Sequence, residues 1–360
     1  MIGKRLMVPT VYSPGEVYFG QGSAMVLKSI EAKEFLVLVT QPVKASEQYA
    51  KINKHLEGKT YHEEVVEEPT DEKIMEIGRK YENSQVEVIV GIGGGKVMDT
   101  AKVVRYVMDN PGKTIDDLSK AFIFEKKRRR LVLIPTTPGT GSEASTAAVI
   151  YRNGVKTPLT NKDFITDIAI LDSNFLLSLP PQMLTPFIGD IFAHDFEAYL
   201  SKMSNPIVKA NADASLSLLV DAVGALKQNP KDVKALDKLQ LAGYLGGLAQ
   251  GNAYVGACHA LAHGAENLKK ISHGNAVLAL SRPYLEWLRE RGKVEECARF
   301  LAMYDKMGLD EQVGTGMFSD MADDPWAEAA LKDPSVKTST LRMDKPLMLD
   351  LITFVRRTRS

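Results

Sequence analysis

Three apolar runs in the first half of the chain, Phe35 to Thr40, Val86 to Ile92 and Leu131 to Ile134, leave little choice of architecture. None alternates polar with apolar residues, so each needs cover on both faces of a sheet. Helical stretches separate them: Ala45 to Leu56, Thr70 to Tyr81 with the start signal Thr70-Asp71-Glu72-Lys73, and Gly95 to Met108. Glu64 to Val66 and Ile168 to Leu171 read as shorter strands of the same sheet. The alternation predicts a parallel sheet with helices on both faces. Thr146 to Tyr151 and Thr157 to Thr160 flank Asn153-Gly154, which reads as a hairpin turn.

From Pro180-Pro181 onward the pattern changes to long helical runs: Asp213 to Lys227, Val233 to Ala249, Tyr254 to Leu268, Ala276 to Arg291 and Pro346 to Arg357. The last follows Asp344, a cap residue two places before a first-turn proline. A chain of 360 residues is long for a single core. The expected organisation is therefore an α/β domain over residues 1–180 and an all-α domain over residues 181–360. Lys+Arg and Asp+Glu balance at 45 each, so no net charge draws the molecule to nucleic acid or to an anionic membrane. The basic cluster Lys126-Lys127-Arg128-Arg129-Arg130 reads as a solvated loop. Two cysteines, Cys258 and Cys297, give no disulfide framework, which suits a reducing compartment. The start Met1-Ile2-Gly3-Lys4-Arg5 leads to Pro9 and Pro14 rather than to an apolar signal core, and no segment is apolar for long enough to span a bilayer. A cytoplasmic protein is expected.

Four of the six histidines lie between Asp190 and His273. Asp190 and His194 are four apart in an apolar stretch of helical period, so they share a face. His259 and His263 repeat that spacing on a second apolar stretch, and His273-Gly274 follows. Any one pair alone is compatible with plain core packing. Four imidazoles and a carboxylate in an apolar region all need partners, and a borderline divalent cation such as Fe²⁺ or Zn²⁺ would satisfy them.

Gly91-Ile92-Gly93-Gly94-Gly95-Lys96 follows a strand and opens a helix, a shape suited to phosphate at a helix N-terminus. It is neither standard motif. A P-loop would need Gly at 90 and Ser or Thr at 97, where Val90 and Val97 stand; the usual dinucleotide fingerprint would need Gly at 96, where Lys96 stands. Pro135-Thr136-Thr137-Pro138-Gly139-Thr140-Gly141-Ser142-Glu143 follows the next strand and offers hydroxyls at the sheet's carboxyl end, where open α/β folds bind ligands.

These stretches together resemble the iron-containing (group III) alcohol dehydrogenase family. The resemblance runs through Gly93-Gly94-Gly95 with Asp99 and Lys102, the Pro135 to Glu143 loop, Asp190-x3-His194, His259-x3-His263, His273-Gly274 and the Asp344-Lys345-Pro346 helix start. It implies a dinucleotide-binding α/β domain followed by an all-α metal-binding domain, with the metal in the cleft between them. Carried over by position, the ligands would be Asp190, His194, His259 and His273, with His263 near the reacting carbons. Gly93, Gly94, Gly95 and Lys96 would meet the pyrophosphate, Asp99, Thr136, Thr137, Thr140 and Ser142 would serve the cofactor, and Lys156 would reach the ribose beside the nicotinamide. The family also implies a homodimer or larger homo-oligomer.

Two positions depart from the family pattern. Lys96 stands where serine is common and looks more like the glycerol dehydrogenases. Gln41 stands where an aspartate commonly selects NAD, so NADP becomes as acceptable as NAD, with Lys44 as a nearby positive group. The implied activity interconverts a small alcohol and its aldehyde or ketone by hydride transfer to NAD(P), with Fe²⁺, or Zn²⁺, as Lewis acid. The alternatives are a dehydroquinate-synthase-like or glycerol-dehydrogenase-like enzyme of the same superfamily, a metal-dependent hydrolase, or a catalytically silent metal- and nucleotide-binding protein.

Overall fold

The computed structural model describes residues 10–120, 129–314 and 316–359. Its strands are β1 (Glu16–Phe19), β2 (Glu34–Val39), β3 (Thr60–Val65), β4 (Val86–Gly93), β5 (Arg130–Pro135), β6 (Ala147–Arg152), β7 (Val155–Thr160) and β8 (Ile168–Leu171). The helices among them are α1 (Gln41–Lys44), α2 (Glu47–His55), α3 (Asp71–Tyr81), α4 (Gly95–Asp109) and α5 (Ile115–Lys120). After Leu171 come α6 (Leu184–Leu200), α7 (Pro206–Gln228), α8 (Val233–Ala253), α9 (Ala257–Lys269), α10 (His273–Glu290), α11 (Val294–Met307), α12 (Asp323–Lys332) and α13 (Lys345–Arg359).

Among the described residues, six strands form a parallel sheet in the order β1-β8-β5-β4-β2-β3. Both faces are covered. Leu36, Leu38, Ile89, Leu131 and Leu133 pack under α3 and α4, while Phe35, Val37, Val39, Val88, Val90 and Ile92 pack under α2. Neighbouring strand residues thus go to opposite cores, which is why the runs carry no polar alternation. β2 connects outward to β3 on one side, and β4 connects to β5 on the other. The loops after β2 and β4 therefore diverge, leaving a crevice at their carboxyl ends.

β6 and β7 pair antiparallel across Asn153 (φ 52°) and Gly154 (φ 75°), the two left-handed residues of the expected turn. Thr70 caps α3 through Lys73 N, and Asp344 caps α13 through Leu347 N. The helix expected over 45–56 is α2, which Ser46 caps through Tyr49 N, and the short α1 before it is an addition. β1 is an addition to the expected strands: its four residues are mostly exposed, with Phe19 at 67%, and carry no buried-strand signal. The solvated reading of the basic cluster fails at Arg129 but not at Arg130, which is exposed, while Lys126 to Arg128 lie outside the described residues. Arg129 is buried, pairs with Asp109 at 2.9 Å and donates to the carbonyls of Glu82, Val86 and Met108. The start Met1 to Pro9 is also outside the described residues.

The helices after Leu171 share one core, with Phe192 against Phe196 and Tyr304, and Tyr284 stacked on Trp287. Among the described residues no helix is long and apolar enough to cross a membrane.

Candidate metal centre and cofactor cleft

Asp190, His194 and Glu197 lie a turn apart along α6, all buried. Ile191, Phe192 and Phe196 fill the core on the same helix and so fix its rotation, turning the polar three toward α9 and α10. α9 carries His259 and His263, and His273 opens α10. The side chains meet at Asp190. Its Oδ1 lies 3.5 Å from Nε2 of His194, 3.4 Å from Nε2 of His259 and 3.5 Å from Nε2 of His273. Ligand atoms of Asp190, His259 and His273 all fall within 4.8 Å of one another. His194 is not part of that mutual group; its ring stacks on His259 with centroids 5.0 Å apart.

One carboxylate oxygen facing several imidazole nitrogens inside a helical core is a donor set that fits Fe²⁺ or Zn²⁺. Burial raises the Asp190 carboxyl, but the surrounding imidazoles outweigh it and hold it well below the usual range. Burial lowers His194 to about 4. An anionic aspartate and a neutral imidazole are the states that ligate a cation. Burial also lowers His259, yet its hydrogen bonds to Asp190 and Glu197 prevail and lift it to about 9, so a cation there would replace a proton.

Carboxylates stand behind three imidazoles. Glu197 Oε2 is 2.5 Å from His259 Nδ1, and the same carboxylate accepts the backbone N–H groups of Cys258 at 2.9 Å and His259 at 3.3 Å. It thereby closes the N-terminus of α9, which has no side-chain cap of its own. Asp333 Oδ2 is 2.7 Å from His263 Nδ1, and Glu266 Oε2 faces His273 Nδ1 at 3.8 Å. A carboxylate at Nδ1 keeps the proton there and leaves Nε2 as the electron-pair donor. None of the three is among the residues expected from the sequence. Glu197 follows Asp190 by seven residues and Glu266 follows His259 by seven, so helical spacing could have found both; Asp333 is 70 residues from His263 and has no such signal.

On the sheet side, Gly93 closes β4 and α4 begins at Gly95 without a side-chain cap. The loop after β5 lies against it: Thr136 N donates to Gly93 O at 3.0 Å. A Cβ on Gly94 would stand 3.2 Å from Thr137 Oγ1, and one on Gly95 3.0 Å from Thr140 Cγ2. Two glycines therefore keep a backbone cradle open beside an uncapped helix end, in the sheet's crevice, which fits a dinucleotide's pyrophosphate. Gln41 lies exposed on the first turn of α1, just past β2 on the same crevice. Lys44, the nearby positive group, pairs with Glu63 at 2.5 Å. Lys96 pairs with Glu68, and Lys156 on β7 pairs with Glu266 on α9.

Asp99 and Ser142, expected at the cofactor, are buried and turned to each other. Ser142 Oγ donates to Asp99 Oδ1 at 2.6 Å and Val149 N to Oδ2 at 2.9 Å, so each carboxylate oxygen accepts from the protein itself. They brace the threonine loop from beneath, as does buried Lys102 through the carbonyls of Ser145 and Ala147. Beside them Glu143 is buried, and burial pushes its carboxyl up to about 7 from 4.5. A raised acid contributes stability fully below its unfolded value and loses it as pH rises through its folded value. Glu143→Gln is therefore expected to be the more stable protein at pH 8, by on the order of 1–2 kcal/mol, with the gap closing below about pH 5. Thermal unfolding at both pH values checks this; a gap independent of pH would show that Glu143 does not titrate in the fold.

Comparison with known proteins adds an independent line. The family model described as "Iron-containing alcohol dehydrogenase" matches residues 14–173, and the one described as "Fe-containing alcohol dehydrogenase family, C-terminal" matches residues 189–343. An NADPH-dependent butanol dehydrogenase of Clostridium saccharobutylicum is 27% identical over 295 residues, covering 79% of this chain and 75% of that protein. An NAD-dependent methanol dehydrogenase of Bacillus methanolicus is 30% identical over 209 residues, 58% of this chain and 55% of that one. The solved structure of an iron-containing alcohol dehydrogenase from Thermococcus thioreducens superposes with a TM-score of 0.85 at 22% identity, covering 97% of this chain and all of that one.

Proposed function

The chain belongs to the iron-containing alcohol dehydrogenase family, and from that premise we propose that it interconverts a small alcohol and its aldehyde or ketone with NAD(P). The observation that carries the reading is the convergence of three imidazole Nε2 atoms on Asp190 Oδ1 at 3.4–3.5 Å. Asp190, His194, His259 and His273 would hold the metal, iron or zinc. When bound, the metal supplies Lewis acidity toward a substrate oxygen and the nicotinamide supplies the hydride acceptor or donor. Glu197 orients His259, and Asp333 orients His263, whose Nε2 is left to take or return the substrate's proton. Gly93, Gly94, Gly95 and the start of α4 receive the pyrophosphate, with Thr136, Thr137 and Thr140 along the cleft. A homodimer or larger homo-oligomer in the cytoplasm belongs to the same reading. The lyase alternative loses its footing, because both halves of the chain match alcohol dehydrogenase models.

The direct test is metal analysis of the purified protein, followed by a panel of small alcohols and aldehydes read by NADH and NADPH absorbance. Neither bound metal nor turnover with any of them would sink the proposal.

Cofactor choice turns on Gln41. A carboxylate there would bond the adenosine ribose and repel a 2′-phosphate, whereas Gln41 bonds without repelling. Both cofactors should be accepted. Gln41→Asp is expected to shift the kcat/KM ratio toward NAD by about tenfold or more, the worth of a like-charge clash at a partly exposed site. An unchanged ratio would mean that this strand end does not face the ribose.

A further inference from the structure

Glu266 occupies an unusual place on α9. It follows His259 by two turns and His263 by one, so it faces the metal centre rather than solvent. One of its carboxylate oxygens pairs with Lys156, which belongs to the β6–β7 hairpin. The other, Oε2, is buried without a hydrogen-bond partner, and 3.8 Å away stands His273 Nδ1, also buried without one. Two complementary orphan atoms face each other across a gap that a small carboxylate rotation would close. On the far side of the ring, His273 Nε2 points at Asp190. The arrangement parallels Glu197 behind His259 and Asp333 behind His263, where the contacts are already made.

We propose that Glu266 is a positioning residue for His273, and that Lys156 holds Glu266 in place, so that the hairpin of the sheet half helps to fix a metal ligand of the helical half. The inference rests on the functional reading above in taking His273 as a ligand. Its chemistry is a hydrogen bond from Nδ1–H to Glu266, which fixes the tautomer and raises the donor strength of Nε2. Lys156 contributes by holding the carboxylate directed across the cleft.

The test follows metal release rather than turnover. The full chain is loaded with Co²⁺, and loss of its visible absorption is timed after addition of a chelator. Glu266→Ala is expected to release the ion about tenfold faster or more, the usual scale for losing such a partner. Glu266→Gln keeps an acceptor oxygen and should stay within about threefold of the parent. Lys156→Met should speed release on its own and add nothing in the Glu266→Ala background, because its effect runs through that carboxylate. Release from Glu266→Ala at the parental rate would overturn the inference, as would a Glu266→Gln protein as fast as Glu266→Ala or full additivity of Lys156→Met with Glu266→Ala. A parent chain that takes up no Co²⁺ would overturn the functional reading, and this inference with it.

Discussion

His259→Ala protein is expected to leave purification without stoichiometric metal and to lose at least about a thousandfold in kcat/KM, several kcal/mol of lost transition-state stabilisation. Nucleotide should still bind within about threefold of the parent, since the glycine cradle and threonine loop belong to other elements. The position is unusually sensitive because His259 is held from both ends, by Asp190 at Nε2 and by Glu197 at Nδ1. Removing the ring deletes a ligand and also strands a buried Glu197 on two backbone N–H groups. Glu197→Gln separates the two effects. It keeps an acceptor at Nδ1 but not the charge, and should weaken metal retention by about tenfold without abolishing it. His273→Ala should behave like His259→Ala. Were either alanine protein to keep full activity in chelator, the ligand set would be wrong.

The legible part of the molecule is the part that local spacing encodes. The sheet is evident because Phe35 to Thr40 and Val86 to Ile92 cannot be half-exposed, and the hairpin because Asn153-Gly154 suits a turn with two left-handed residues. Asp190 with His194, and His259 with His263, are visible as single turns of single helices. The groups that orient those imidazoles are harder to see, because a carboxylate's partner is set by packing between elements. Arg129 misleads for the same reason: in sequence it sits within a run of cations, whereas in the fold it enters the space between α4 and β4 and meets Asp109 and three carbonyls. Asp99 lies on the first turns of α4 and Ser142 in the stretch after β5, yet their direction depends on a backbone N–H from β6 that no local pattern predicts.

The second large effect is expected at His263, and it should take a different form. His263 shares a helix face with His259, and its ring stacks on His273 with centroids 5.0 Å apart, so a reader of spacing alone could count it as a fifth ligand. The Nε2 atoms of His194, His259 and His273 converge on Asp190 Oδ1, whereas the carboxylate that His263 meets is Asp333, at Nδ1. A fifth protein ligand would also crowd the open position that a catalytic metal site keeps for substrate. His263→Ala is therefore expected to keep its metal and its nucleotide affinity while kcat falls by about 10²–10⁴, the range for losing a positioned acid–base group. Asp333→Asn should lower kcat in the same direction but less, since the ring remains and only its tautomer and orientation are loosened. Burial raises the Asp333 carboxyl, but His263 outweighs that effect and holds it below the usual range, so the pair contributes stability above about pH 4 that is lost in acid. Combining the two substitutions separates relay from packing. If Asp333 acts through His263, the double variant should turn over no more slowly than His263→Ala alone. Loss of metal in His263→Ala would instead make it a ligand. Near-normal turnover with lowered thermal stability would reduce it to a packing residue.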